Sequence, residues 1–198
     1  MGDVAFPVPG GDELRDELLQ RWSEPHRRYH DRRHLSEVLA ALPDDAPRTV
    51  RLAAWYHDAV YAPARDDNEE ASARLARERL HTRLSETDVG EVERLVLLTR
   101  THDPAPDDGD GILLCDADLA VLAAAPERYD EYAADIRAEY AHVGDVEFRR
   151  GRAAVLRDLL AHRRLFGSRP DWEQPARSNL QRELRALGDP SAGAAQPR

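Results

Sequence analysis

The chain has 198 residues, 41% of them hydrophobic, a formal charge of −10 and one cysteine, Cys115. That length allows one domain with a core of its own, and a lone cysteine excludes an internal disulfide. The acidic balance disfavours broad binding to nucleic acid or an anionic membrane, while a local basic pocket stays open.

Apolar residues recur at three- and four-residue spacing and β-branched alternation is scarce, which predicts an all-α fold in one domain over residues 11–187. A first helix at 11–23 carries Leu14, Leu18, Leu19 and Trp22 on its apolar positions. The segment Pro25 to His34 follows, with His26, His30 and His34 four residues apart, on one face if the segment is helical. Stacked imidazoles are poor core material, because each buried ring needs partners for both nitrogens. A solvated face in an Arg-rich segment is the plain alternative for any single one.

The second helix, 32–42, is separated by Pro43-Asp44-Asp45-Ala46-Pro47 from a third at 47–60. The apolar run Val50 to Tyr56 in that third helix ends in the pair His57-Asp58. Adjacent residues cannot share a helical face, yet they can offer one ion a nitrogen and an oxygen. Helices at 68–81 and 86–101 come next, Ser85 with Asp88 three residues on forming an N-cap arrangement for the latter. After the loop Asp103 to Gly111, a helix at 112–124 holds Asp116 and Asp118 among apolar neighbours. Their spacing sends them in different directions, so at most one faces the ion of His57. Asp116 also reads as an N-terminal cap, whereas Asp118, placed mid-helix, needs a partner. Helices at 127–141, 145–166 (with Asp145 as cap) and 172–187 complete the set, and the ends, 1–10 and 188–198, are expected to be mobile. No apolar stretch has the length of a membrane span and residues 1–10 lack a secretion signal's pattern, so a soluble cytoplasmic protein is expected.

His34, then His57-Asp58, then the distant Asp118 resemble the signature of the HD superfamily of metal-dependent phosphohydrolases: one His, an adjacent His-Asp pair and a remote Asp, all on helices. The chain looks most like a small bacterial branch of predicted metal-dependent HD phosphohydrolases. The matching segments are Pro25 to His30 with His34, Tyr56 to Tyr61, Asn68 to Ala73, Thr99 to His102, Asp116 to Leu119, Ile136 to Tyr140 and Gly151-Arg152. Each motif alone is weak, and their order along residues 12–182 is what makes them specific. The resemblance implies an HD-type helical bundle holding one divalent ion through His34, His57, Asp58 and Asp118, with Asp116 as the alternative to Asp118. Two imidazoles and two carboxylates suit Mn, Fe, Co, Ni or Zn better than Mg.

The implied reaction is hydrolysis of a small phosphate ester or anhydride, a nucleotide among the candidates, by metal-activated water. Asp58 is a candidate catalytic carboxylate as well as a ligand. Glu69 is a candidate acid or water-positioning group, set against the ordinary preference for Glu in a first helical turn. His30 is a candidate for proton transfer or phosphate contact, set against orienting a ligand, and His102 for proton transfer or a second metal, set against an exposed loop histidine. Arg137 and Arg152 are candidate phosphate contacts; however, every one of the 28 basic residues is Arg, which makes ion pairing the plainer role for most. Tyr61, with Tyr29 and Tyr56, flanks the ligands as candidate pocket wall, while His81, His142 and His162 have no ligand-like neighbours. Two other classes stay open: a non-catalytic metal-stabilised nucleotide sensor or interaction protein, and a di-iron HD oxygenase drawing extra ligands from His30 and His102. The expected partner is a small phosphorylated substrate, not a nucleic-acid polymer or membrane, and a homodimer is permitted.

Overall fold

A computed structural model describes residues 6–188, so the expected mobile ends fall mostly outside the described residues. The part of the N-terminal segment that is described packs down: Val8 is 6% exposed in the core and the Phe6 ring meets Trp55 edge-on at 5.3 Å. Both apolar side chains pack against the core, Phe6 in part.

Among the described residues the chain is all-α, with no strand. The helices are α1 (Asp12–Arg21), α2 (Arg32–Ala41), α3 (Arg48–Tyr56), α4 (Asn68–Leu80), α5 (Glu86–Leu98), α6 (Gly109–Asp118), α7 (Pro126–Glu139), α8 (Asp145–Ala161) and α9 (Pro170–Ala186), with a 3-10 turn at Leu119–Ala123. No helix among them is long and apolar enough to cross a membrane. The helices fall into two compact units, the first ending at Asp118 and the second beginning at Leu119.

The first unit is organised around α3, which packs against α2, α4, α5 and α6. Val50 and every residue from Leu52 to Tyr56 are buried, so this helix is apolar on all sides, as a central helix must be. It stops at Tyr56, short of the expected 60, because the chain beyond finds other partners. Ser72 of α4 accepts from the Val60 amide at 3.0 Å and donates to its carbonyl at 3.2 Å. Asn68, one turn earlier, does the same for Ala62 at 3.0 and 3.1 Å. Helix α6 starts at Gly109, earlier than expected, because Asp108 accepts from the Gly111 amide at 2.9 Å and is anchored by Arg94 at 2.7 Å. A Cβ at Gly111 would stand 2.7 Å from a Leu98 methyl of α5 and against the Asp108 carboxylate, so a larger residue there would have to displace those side chains. Ser85 caps α5 as expected, accepting from Asp88 at 3.1 Å.

In the second unit the expected cap Asp145 instead pairs with Arg137, and Gly144 holds the N-cap position of α8. Helix α8 ends at Ala161 because the Leu165 and Phe166 amides donate to Glu173 of α9 at 3.0 and 3.3 Å. A buried polar knot joins α7, α8 and α9. Glu183 accepts two hydrogen bonds from Arg152, at 2.8 and 3.0 Å, and one from the Tyr129 hydroxyl at 2.6 Å. Removing one partner from a buried ion pair leaves the other charge uncompensated. Glu183→Ala is therefore expected to lose about 3–5 kcal/mol in urea unfolding. Asp171→Ala, which breaks a pair whose carboxylate is 64% exposed, is expected to lose under about 1 kcal/mol; equal losses would refute this ranking.

Candidate metal centre

His57 follows the last residue of α3 and still closes a helical turn, its amide donating to Ala53 at 2.8 Å. Its ring Nδ1 lies 2.9 Å from the Ala54 carbonyl, an acceptor only, so Nδ1 carries the hydrogen and the neutral ring presents a lone pair at Nε2. Trp22, fully buried and anchored by its indole N–H on the Trp55 carbonyl at 3.0 Å, covers the His57 ring at 5.3 Å and the His34 ring at 6.1 Å. His34 comes from the first turn of α2, which starts there because Asp31 accepts from the Arg33 and His34 amides at 2.8 and 3.3 Å. Asp118 is the last residue of α6.

These elements bring three donor groups together. His34 and His57 face each other through their Nε2 atoms at 3.2 Å, and Asp118 Oδ1 stands 3.1 Å from the first and 3.5 Å from the second. All three donor atoms lie within 4.8 Å of one another, a group that could hold a metal ion. Asp58 lies outside this tight group but within reach of both rings, its Oδ2 being 3.3 Å from His57 Nε2 and 3.9 Å from His34 Nε2.

The electrostatics follow from burial. Burial lowers the pKa of His34, outweighing the nearby Asp118. It also works to lower His57, but the Asp58 and Asp118 carboxylates prevail and raise that imidazole well above its ordinary value. Burial would raise both aspartates, yet the His57 charge holds each of them below the usual carboxylate range.

His102 completes the frame around Asp118. The amides of Thr101 and His102 both turn back to the Leu98 carbonyl, at 3.1 and 3.0 Å, and His102 takes the left-handed conformation, φ 49°. This places its Nε2 2.8 Å from Asp118 Oδ2. With Oδ2 engaged by His102, Oδ1 is left to face the imidazoles. The side chain is 21% exposed, so this is not the exposed loop histidine of the plain reading.

The remaining expected residues are placed as follows. His26 and His30 precede α2, so the three histidines do not form one helical face; His26 Nε2 meets the Tyr61 carbonyl at 2.8 Å. His30 nevertheless stands edge-on to His34 at 5.8 Å and stacks on Tyr61 at 4.1 Å. Tyr61 is 8% exposed, with the Arg27 guanidinium also over its ring, 5.5 Å from the centroid. Tyr29 packs on His34 at 4.6 Å, whereas the Tyr56 hydroxyl is buried with no hydrogen-bond partner among the described residues. Glu69 is half-buried in the first turn of α4. Asp116 is buried near the end of α6; that helix begins at Gly109, so Asp116 is not its N-terminal cap. Arg137 and Arg152 are engaged within the second unit, by Asp145 and by Glu183.

Arg27 escaped notice in the sequence. Its side chain is fully buried and donates to the carbonyls of His30 and Asp58, both at 2.8 Å. The only signal was its place in the segment Pro25 to His30, diluted in a chain whose basic residues are all Arg. Comparison with family models, curated proteins and solved structures gives no match for this chain.

Because Trp22 lies against both imidazoles, a paramagnetic ion held by them is expected to quench its emission. Titration with Co(II) should quench tryptophan fluorescence to saturation near one equivalent. The response should disappear in His57→Ala, and in Trp22→Phe it should disappear while equilibrium dialysis still finds Co(II) bound.

Proposed function

We propose that this chain is an HD-type metal-dependent phosphohydrolase, acting on a small phosphate ester or anhydride. The reading rests on the convergence of His34, His57 and Asp118, with Asp58 at the rim, from three separate helices in the order of the HD signature. The donor set fits a transition-metal ion. Ligands about 2.0–2.2 Å from such an ion stand roughly 3.0–3.5 Å apart around it. The separations between 3.1 and 3.5 Å match, and Asp58, 3.3 Å from His57 Nε2 and 3.9 Å from His34 Nε2, is the candidate fourth ligand. Nitrogen and carboxylate donors favour Mn, Fe, Co, Ni or Zn.

When bound, the ion would supply Lewis-acid polarisation of a phosphoryl oxygen and a water acidic enough to attack at neutral pH. The chain's own groups do the rest. Asp118 is held in one orientation by His102, and Asp58, ionised beside the cluster, would accept a hydrogen bond from the attacking water and orient it. Trp22 and Tyr29 exclude bulk water from the imidazole side. His30, half-buried at the edge of the cluster, is the proton donor to the leaving oxygen. Glu69 lies in the first turn of the helix whose Asn68 and Ser72 hold the backbone after Asp58, and it is the candidate to position water.

The test is phosphate release from a panel of nucleotides and phosphomonoesters with added Mn, Co or Ni. Asp58→Ala is expected to lose metal and turnover together. His30→Gln should lower kcat about 100-fold with metal content unchanged. A wild-type protein that binds a nucleotide tightly without turnover under any of these metals would overturn the hydrolase in favour of a sensor, and two irons per chain would do so in favour of an oxygenase.

A pH dependence follows with a definite sign. His57 has its pKa raised and must lose its proton before Nε2 can bind an ion. Metal affinity is therefore expected to rise with pH until His57 is deprotonated in the free protein, and to weaken as pH falls. Calorimetry in buffers of different ionisation enthalpy should detect about one proton released per ion.

A further inference from the structure

We propose that Arg27 is a positioning residue of the metal centre, a buried guanidinium that sets the spacing between the His34 segment and the His57-Asp58 turn. The inference rests on the metal-binding reading of the cluster. A single nitrogen, Nη1, donates to the carbonyls of His30 and Asp58, both at 2.8 Å, and Nη2 reaches the Ala59 carbonyl at 3.4 Å. One planar group thus ties the backbone just before α2 to the backbone just after α3, Arg27 itself standing 31 residues before Asp58. The plane is set from outside as well. Glu24 Oε2 accepts from Nε at 3.1 Å and pairs with Nη2 at 3.1 Å, and the guanidinium carbon lies over the Trp22 and Tyr61 rings at 5.4 and 5.5 Å.

Several of these contacts bear on the site. The Asp58 carbonyl belongs to a candidate ligand, Trp22 covers both imidazoles, and Tyr61 carries the stacked His30. A rigid fork of five donors can serve these acceptors together, whereas a lysine ammonium is a compact point charge that cannot span them. Loss of the fork frees the turn carrying Asp58 to move relative to α2, and the nitrogen and oxygen donors lose their common centre.

The experiment compares the wild-type protein with Arg27→Lys, Arg27→Gln and a control, Val92→Ala, which removes methyl groups from the core on α5. Co(II) affinity is measured by chelator competition, and the ligand-field absorption of the Co(II) protein reports donor geometry. Both Arg27 variants are expected to bind Co(II) about ten-fold or more weakly, with shifted ligand-field bands. Val92→Ala is expected to lower the melting temperature and leave the bands in place. Wild-type affinity and bands in Arg27→Gln, or in Arg27→Lys should the glutamine variant fail to fold, would overturn the proposal. A wild-type protein that takes up no Co(II) would sink the metal reading instead. The imidazole nitrogen NMR shifts of His34 and His57 would then decide on Arg27, since the positioning role requires them to move in the Arg27 variants and not in Val92→Ala.

Discussion

Burying Asp58 and Asp118 beside His34 and His57 removes ionisable groups from water at an effective cost of several kcal/mol per ion, which hydrogen bonds and charge attraction from the facing imidazoles offset. The first unit is arranged around that constraint. Trp22 keeps water off the imidazoles and thereby strengthens the attraction, since charges interact more strongly where the medium is less polarisable. His102 accepts an uncommon left-handed backbone to engage the outer oxygen of Asp118. Two carboxylates facing two imidazoles favour a positive charge between them, which in the proposed holoenzyme a divalent ion would supply.

The groups of the cluster sit at helix ends rather than on helix faces. His34 is in the first turn of α2, His57-Asp58 follows the last residue of α3, Asp118 ends α6, and His102 lies past the end of α5. Helix ends leave backbone groups to be satisfied by side chains or neighbouring segments, and here those partners also position the site. Asp31 satisfies the amides at the start of α2, Ser72 and Asn68 satisfy the chain beyond α3, and Arg27 satisfies the carbonyls of Asp58 and Ala59. Interrupting the helices at these points lets residues far apart in sequence converge on a volume about the size of one ion.

The helices were legible because their apolar periodicity is local, and the α3 run from Val50 to Tyr56 marked the central one. His57-Asp58 and Asp118 stood out because polar residues embedded in apolar runs need partners. Where the reading departed from the fold, a long-range contact had displaced a local rule. The four-residue spacing of His26, His30 and His34 suggested one face, yet Asp31 caps α2 and Tyr61, distant in sequence, takes up His26. Asp116 resembled an N-cap only because the Asp-Gly run before it read as loop, whereas Asp108 and the close approach of Leu98 make it the start of a helix. Arg137 and Arg152, singled out by the resemblance, find carboxylates in their own unit.

The sequence by itself determined an all-α chain, the limits of most helices and the short set of imidazoles and carboxylates suited to a transition metal, because periodicity, capping and donor chemistry are properties of neighbouring residues. Tertiary structure alone decided that His34 and not His26 meets His57, that His102 orients Asp118, and that Arg27, indistinguishable in sequence from the chain's other arginines, is the buried link between two ligand-bearing segments. The physical reason is that burial and hydrogen-bond partnership across tens of residues depend on how helices pack, and no local pattern encodes which acceptor a guanidinium or an imidazole will face.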